Sequence, residues 1–297
     1  MKQKQSRAKT SQKPKAKPEV KMNDKKNDWL NPKVFILLAI VFIITQSLGL
    51  YLAGEFIRMD LAQPVNPFAE NVNDISNSIY LIGIILFTTL IILIALKFRK
   101  NRNFLIYIEA LAVFTTSLLV FSVLLPGFEF LIALAIIAWR YTHIKSVSFR
   151  NLVAVIAVAG AGSFIGISIG LLPVIVFIAL LACYDAIAVF KTKHMVEIGK
   201  AVISNNYAFT IALPTKQHNF EIGNGDLVVP LIVASSIIAN ATFANNYLVA
   251  SLCLGASFIG LMISIYSVSV RKVPLPALPP QTMLIILTIG AALLFGL

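Results

Sequence analysis

The chain consists of long apolar runs that are separated by short polar connectors. A run of about 20 apolar residues is the length an α-helix needs to cross the hydrocarbon core of a bilayer. The pattern therefore predicts an all-α polytopic membrane protein with nine transmembrane helices. We place them at residues 34–53, 78–96, 104–125, 128–139, 152–171, 172–190, 227–243, 247–270 and 276–297.

Three of these runs depart from a simple span. The run 128–139 is short for a crossing, and Tyr141 with its neighbours is expected to extend it. The runs 152–171 and 172–190 form one apolar stretch that is too long for a single span. The Gly-Leu-Leu-Pro sequence at 170–173 is a typical breaker, so we expect two helices there.

Composition supports this interpretation. Hydrophobic residues make up 58% of the 297 residues and charged residues only 13%, whereas soluble domains contain about 25% charged residues. The net charge of +12 does not indicate a nucleic-acid partner, because residues 1–33 alone hold eleven Lys and Arg against three acids. We expect this segment to be a disordered cytoplasmic tail beside anionic lipid, followed by a membrane domain at 34–297.

The basic residues also predict orientation. With nine spans and a cytoplasmic N-terminus, all but one of the 25 Lys and Arg residues lie in the tail or in cytoplasmic connectors. The exception is Arg58, in a connector that also carries Glu55 and Asp60. By the positive-inside rule, the sequence predicts a cell-membrane protein whose N-terminus is cytoplasmic and whose C-terminus is extracytoplasmic.

Two aspartates lie at membrane depth. Asp185 is in the run 172–190, and Asp226 opens the run 227–243. A charged residue at the bilayer centre costs roughly 2.5–3.5 kcal/mol on insertion scales, so such acids indicate function. The predicted topology puts both within one or two helical turns of the cytoplasmic surface, where they can face each other. A carboxylate pair that shares one proton can activate water.

Two neighbouring segments fit such a site. Gly223-Asn224-Gly225 predicts a sharp turn before Asp226 and leaves little side-chain bulk beside its carboxylate. The segment 274–280 has four prolines in seven residues, so we expect irregular backbone there. Irregular backbone at membrane depth is tolerated against protein or a water-filled cavity, so this segment is expected to line the same cavity. The alternative is a Pro-rich connector that caps the last helix.

The order of these motifs is similar to that of a known family. Tyr184-Asp185, Gly223-Asn224-Gly225-Asp226 and Pro276-Ala277-Leu278 resemble the YD, GxGD and PAL motifs. Together these motifs mark the presenilin and signal peptide peptidase family of intramembrane aspartyl proteases. The resemblance covers the chain from about residue 34 to the C-terminus. It implies nine helices, with helices one to five at 34–171 and the active site on helices six to nine at 172–297.

The resemblance also implies roles for individual residues and a class of substrate. Asp185 and Asp226 would be the catalytic dyad, supported by Tyr184, Gly223, Gly225, Pro276, Ala277 and Leu278. Substrates would be transmembrane helices cleaved within the bilayer, and a cytoplasmic N-terminus implies presenilin's preference for substrates whose N-terminus is outside. No metal or other cofactor is implied.

The connector at 191–225 departs from presenilin, because it is shorter and lacks the long acidic stretch. Self-cleavage in this loop and obligate partner subunits are therefore not expected, and the chain resembles the microbial, archaeal homologues that act alone. The sequence does not specify an oligomeric state.

Part of this connector has a strand-like pattern. Tyr207, Phe209, Ile211 and Leu213 alternate with smaller residues. A strand here could bind an unwound substrate by adding it to an exposed edge, which would make these four residues substrate-binding. The alternative is an interfacial or re-entrant apolar stretch.

Two other functions fit some of these features. A proton-coupled secondary transporter would also place carboxylates near broken helices, but it would place them at the midplane, and the chain shows no internal repeat. A non-catalytic scaffold would tolerate neutral replacement of both aspartates. Glu109 could reach the interface, pair with a basic residue or contribute to the cavity. Gly160, Gly162, Gly166 and Gly170 predict close helix packing.

Overall fold

The computed structural model describes residues 32–59, 71–97, 102–143, 146–192, 207–214, 219–271 and 275–297. The predicted tail lies outside these residues except for its last two. The described parts of the chain form nine α-helices and one β-hairpin. The helices are α1 Pro32–Arg58, α2 Ser76–Lys97, α3 Arg102–Leu124, α4 Glu129–Thr142, α5 Val147–Ile167, α6 Leu171–Ile187, α7 Gly225–Asn240, α8 Asn246–Arg271 and α9 Leu278–Phe295. The strands are β1 Thr210–Pro214 and β2 Asn219–Gly223.

The nine predicted spans correspond one to one with these helices. Six are long and apolar enough to cross a membrane, and α2 and α7 contain shorter apolar stretches. The short fourth helix runs on to Thr142, as its flanking residues suggested. Helix α5 ends at Ile167 and α6 begins at Leu171, so the predicted break is confirmed.

Helix α7 is the central element of the bundle. Almost every side chain from Leu227 to Ile238 is buried, and α1, α5, α6 and α8 pack around it. Because lipid is as apolar as these side chains, moving them from lipid into the bundle gains little hydrophobic free energy. Close packing and hydrogen bonds hold such helices together instead. The position of α7 therefore depends on how closely its neighbours approach.

The glycines of α5 provide that approach, as predicted. A Cβ atom added at Gly166 would lie 2.5 Å from the carbonyl oxygen of Ile232 on α7. At Gly162 it would collide with the side chain of Leu231, and at Gly160 with the carbonyl of Thr116 on α3. These glycines are needed for space, because a side chain would meet a neighbouring helix.

Hydrogen bonds fix both ends of α7. Gln46 of α1 donates from Nε2 to the carbonyl of Leu227 at 2.9 Å. At the other end, Ser236 Oγ and Asn240 Nδ2 donate to the carbonyl of Ile169, at 2.7 and 3.1 Å. These bonds tie α7 to α1 and to the α5–α6 turn at opposite ends.

The hairpin confirms part of the strand prediction. β1 begins at Thr210 and pairs antiparallel with β2, with Ile211 opposite Ile222 and Leu213 opposite Phe220. Tyr207 and Phe209 precede the strand. β2 was not predicted, because five residues that include Glu221 and end at Gly223 carry little apolar alternation.

Polar side chains of α5 hold the hairpin against the helices. Arg150 Nη2 contacts both carboxylate oxygens of Glu221, at 2.8 and 2.9 Å. Thr210 Oγ1 donates to the same carboxylate at 2.6 Å. Asn151 donates to the carbonyl of Ala212 at 2.6 Å and accepts from its N–H at 2.9 Å.

Two of the basic residues counted above among the cytoplasmic connectors, Arg140 and Arg150, lie inside helices instead. Arg140 lies in α4 and Arg150 in α5, and both side chains are 1% exposed. Each faces a carboxylate, Glu109 and Glu221 respectively. Because burial of an unpaired charge is costly, a paired acid makes these positions possible.

The packing of α5 against α7 predicts a matched pair of glycine variants. Gly166→Ala should destabilise the protein by about 1–3 kcal/mol, because backbone atoms of α7 occupy the space of the new methyl group. Gly83→Ala, where no atom lies within 4 Å of the added carbon, should leave stability unchanged or slightly higher. Thermal unfolding in detergent measures both, and equal melting temperatures would contradict the tight α5–α7 contact.

Candidate active site

The two membrane-depth aspartates meet at one end of the bundle. Asp185 lies in the last turn of α6, just before a π-helical turn at Ala188–Thr192, and its side chain is buried. Asp226 is the second residue of α7 and is half-buried. Helices α6 and α7 pack against each other, and the end of α6 and the start of α7 bring both carboxylates to the same end of the bundle.

The start of α9 contacts Asp185 through one backbone N–H group. The backbone N–H of Leu278 donates to Asp185 Oδ2 at 3.2 Å. The first turn of a helix has N–H groups without partners inside the helix, and its dipole favours a negative charge there. The PAL segment therefore holds Asp185 through its backbone.

The expectation of irregular backbone throughout 274–280 was wrong for its last part. Pro279 and Pro280 lie in the first turn of α9, where a missing N–H breaks no helical hydrogen bond. The prolines also limit the first turn to few donors. The N–H of Leu278 is one of these, and it binds Asp185.

The glycines before Asp226 matter because they lack a side chain, and not because they adopt a backbone conformation that other residues avoid. The predicted turn lies at Asn224, where β2 ends and α7 begins, but neither Gly223 nor Gly225 has a positive φ, so the turn does not use a conformation reserved for glycine. A Cβ atom at Gly223 would lie 3.8 Å from Asp226 Oδ2, and one at Gly225 would meet nothing within 4 Å. A side chain at Gly223 would therefore lie beside this carboxylate, whereas Gly225 borders open space.

Asn224 ties this loop to the start of the hairpin. Its Nδ2 donates to the carbonyl of Ala208 at 2.9 Å, and its N–H donates to the carbonyl of Phe209 at 3.1 Å. The sequence indicated the spacing of the motif but not this role, because the partners are about 16 residues away in the chain.

The other predicted site residues pack among apolar side chains. Tyr184 packs against the main apolar core. Ile211 and Leu213 are buried in the same core, and Tyr207 packs beside Leu105. Phe209 is half-buried next to Tyr207, with ring centroids 6.2 Å apart. These side chains hold the hairpin in place, so binding of an extended segment would fall to the backbone of the hairpin.

Among the described residues, Asn151 binds the outer edge of β1, and none forms a hydrogen bond with the outer backbone groups of Glu221 and Gly223 on β2. Asn151 occupies both backbone groups of Ala212 on β1. Ala212 and Glu221 are therefore a non-hydrogen-bonded pair, since such pairs alternate with bonded ones in antiparallel ladders. It follows that the N–H and C=O of Glu221 and Gly223 point away from β1, toward the outer edge of β2. This edge leads directly to Asp226.

The bundle brings two aspartates from apolar helices to one end, which is the arrangement that the resemblance to intramembrane aspartyl proteases implies. A family model described as "Signal-peptide peptidase, presenilin aspartyl protease" matches residues 39–293. The chain belongs to this family, and it is an intramembrane aspartyl endopeptidase and a multi-pass integral membrane protein. Its substrates are proteins embedded in the membrane. No curated protein sequence matches the chain.

Solved structures show the same fold. A presenilin family intramembrane aspartate protease crystallised in space group C222 matches with a TM-score of 0.65 and 24% identity, over 88% of this chain and 99% of that one. A structure of such a protease in space group P2 matches with a TM-score of 0.57 and 26% identity, over 86% and 96%.

The close contact between α8 and α9 provides a test of whether activity depends on the backbone donor to Asp185. A Cβ atom at Gly260 would lie 2.7 Å from both N and Cα of Gln281, so Gly260→Ala should displace the start of α9. We expect kcat to fall by at least about tenfold, since small displacements of reacting groups are costly. Gly255→Ala on the same helix, with no atom within 4 Å of the added carbon, is the control. Equal kcat values for the two variants would contradict this dependence.

Proposed function

We propose that Asp185 and Asp226 are the catalytic dyad and that they hydrolyse peptide bonds of membrane-spanning substrates. The observation that carries this proposal is the convergence of three elements at one end of the bundle. These are the end of α6, the start of α7 and the start of α9, whose backbone donates to Asp185. Close carboxylates cannot both ionise readily, so the pair holds one proton between them.

The chemistry then follows from the shared proton. The ionised aspartate removes a proton from a water molecule, whose oxygen forms a bond to the carbonyl carbon of the substrate. The protonated aspartate gives its proton to the carbonyl oxygen, and a tetrahedral diol results. Its collapse breaks the C–N bond and transfers a proton to the leaving amine. The products are a new carboxyl group and a new amine, and the dyad again holds one proton.

We assign the shared proton of the resting dyad to Asp226. The Leu278 N–H stabilises a negative charge on Asp185. Within the described residues, no hydrogen-bond donor is found for the carboxylate of Asp226. Asp185 would thus activate the water, and Asp226 would polarise the substrate carbonyl.

The outer edge of β2 supports a binding mode for the substrate. A transmembrane helix must unwind before its peptide bonds become accessible, and the unwound backbone then needs new hydrogen-bond partners. Glu221 and Gly223 direct backbone groups outward beside the dyad. A substrate segment that adds to β2 as a third strand would satisfy its own backbone and place the next peptide bond near Asp226.

The direction of the substrate rests on the distribution of charge. The distribution of basic residues supports a cell-membrane protein whose N-terminus is cytoplasmic, and the dyad would then lie at cytoplasmic depth. Substrates would be single-span proteins whose N-terminus is outside, and the short 191–225 connector supports activity without partner subunits.

Neutral replacement of either aspartate tests the dyad. Asp185→Asn and Asp226→Asn should each lower cleavage by at least about 10³-fold, because an amide cannot exchange the shared proton. Melting temperatures should stay close to that of the wild type. The assay is cleavage of a single-span substrate by purified protein in detergent. Asp74→Asn, at an exposed acid in the α1–α2 connector, should cleave normally. Normal cleavage by either dyad variant would exclude the assignment.

Proline scanning of the substrate tests strand addition to β2. Prolines are placed one at a time at the six positions after the scissile bond. Only every second N–H of an added strand points to its neighbour, so alternate prolines should lower cleavage by about tenfold and the intervening ones by much less. Mass spectrometry of the products measures rate and cleavage position together. A smooth dependence on position would be inconsistent with a third strand.

A further inference from the structure

Glu109 is a fully buried carboxylate outside the dyad. It lies in α3, about two turns from the helix start, beside Arg140 of α4. The Arg140 guanidinium contacts Glu109 Oε1 through Nε at 3.1 Å and Nη2 at 3.0 Å. An ion pair between neighbouring helices would by itself indicate only a structural role.

A third donor changes this interpretation. The backbone N–H of Ala208 also donates to Glu109 Oε1, at 2.9 Å. Ala208 is 4% exposed and lies just before the hairpin. Its carbonyl in turn accepts from Asn224 Nδ2 at 2.9 Å. The backbone of Ala208 is therefore bound by α3 on one side and, on the other, by the loop 223–225 that precedes Asp226, which we call the catalytic loop.

This connection reaches the dyad in few steps. Asn224 is two residues before Asp226, and its own N–H donates to the carbonyl of Phe209. A shift of the backbone at Ala208 must therefore move Asn224 or break its bonds. The second buried pair, Arg150 with Glu221, holds the strand β2 and does not contact Ala208 or Asn224 in the described structure.

We propose that Glu109 is a positioning residue for Asp226 and that it acts through Ala208 and Asn224. The buried carboxylate fixes the backbone to which the catalytic loop is bound, and Arg140 compensates its charge. This inference rests on the proposed catalytic role of Asp226. Since displacement of a reacting group by about 1 Å can lower a rate about 100-fold, loss of the Ala208 acceptor should reduce kcat.

The test compares two double variants that lack both charges. Glu109→Gln/Arg140→Met keeps an acceptor for the Ala208 N–H, and Glu109→Met/Arg140→Met removes it. Neither leaves a buried charge unpaired, so the comparison isolates the acceptor. We expect the second to have a kcat about 10- to 100-fold below the first, while KM changes by less than about threefold. Val120→Ala, in the buried part of α3 that packs away from the hairpin, controls for general loss of stability.

Asn224→Ala provides an independent measurement that leaves the ion pair intact. It should lower kcat by about tenfold, and in this background the two double variants should become equal, because the connection is already broken. Equal kcat values in the wild-type background would overturn the proposal. So would an unchanged ratio in the Asn224→Ala background, which would mean that Glu109 does not act through this residue.

Two further outcomes are decisive. If Glu109→Met/Arg140→Met does not fold, the proposal is tested by Asn224→Ala alone. A kcat for Asn224→Ala equal to that of the wild type would then overturn it. Asp226→Ala is measured alongside as the reference for the dyad. If Asp226→Ala cleaves like the wild type, the proposed function fails, and the inference fails with it. If Asp226→Ala is inactive while the double variants are equal, only the positioning role is wrong.

Discussion

The structure depends on one constraint, which is that a polar group at membrane depth must find its partner inside the protein. Water is not available there to satisfy a free N–H or carbonyl, and a charge without a partner is costly. The hairpin places irregular backbone and strand edges among helices that cross the bilayer. Its groups are therefore bound by side chains of the surrounding helices, Glu109 and Asn151 among them. The polar network of the site is a consequence of placing extended backbone where helices are the rule.

The same constraint explains how the two aspartates are held. Asp226 lies on the most buried helix, behind a loop bonded to the hairpin and beside a residue whose carbonyl accepts from Gln46. Asp185 lies where α6 changes from α-helical to π-helical geometry, and the Leu278 N–H at the start of α9 donates to it. Asp226 is thus positioned by many bonds from several elements. Asp185 depends on the close approach of α9 to α8, which is possible because Gly260 has no side chain.

Much of this arrangement could be predicted from sequence, because the relevant signals are local. Apolar length specified the nine helices, and the two acids, the glycines and the prolines are visible as breaks in apolar runs. What could not be predicted are the pairings between distant positions. Arg150 and Glu221 are separated by 71 residues, and Glu109 and Ala208 by 99. The sequence shows that these charges exist, but not which carboxylate faces which guanidinium. The conformation of Gly223 could not be predicted from the sequence either, since glycine permits both a sharp turn and an extended strand.

The buried ion pairs require a reason beyond stability. Replacing such a pair by well-packed apolar side chains is often neutral or stabilising, because the charges lose their hydration. An apolar pair in place of Glu109 and Arg140, however, would leave the Ala208 N–H without an acceptor. An apolar pair in place of Glu221 and Arg150 would remove the contacts that hold β2. A carboxylate can accept several hydrogen bonds at once, and in both pairs it binds the arginine and part of the hairpin together. The acids are therefore needed for the hairpin, and the arginines are needed so that the acids can be buried. The free-energy cost of burying each charge is therefore offset by hydrogen bonds that fix the hairpin, whose second strand leads to Asp226.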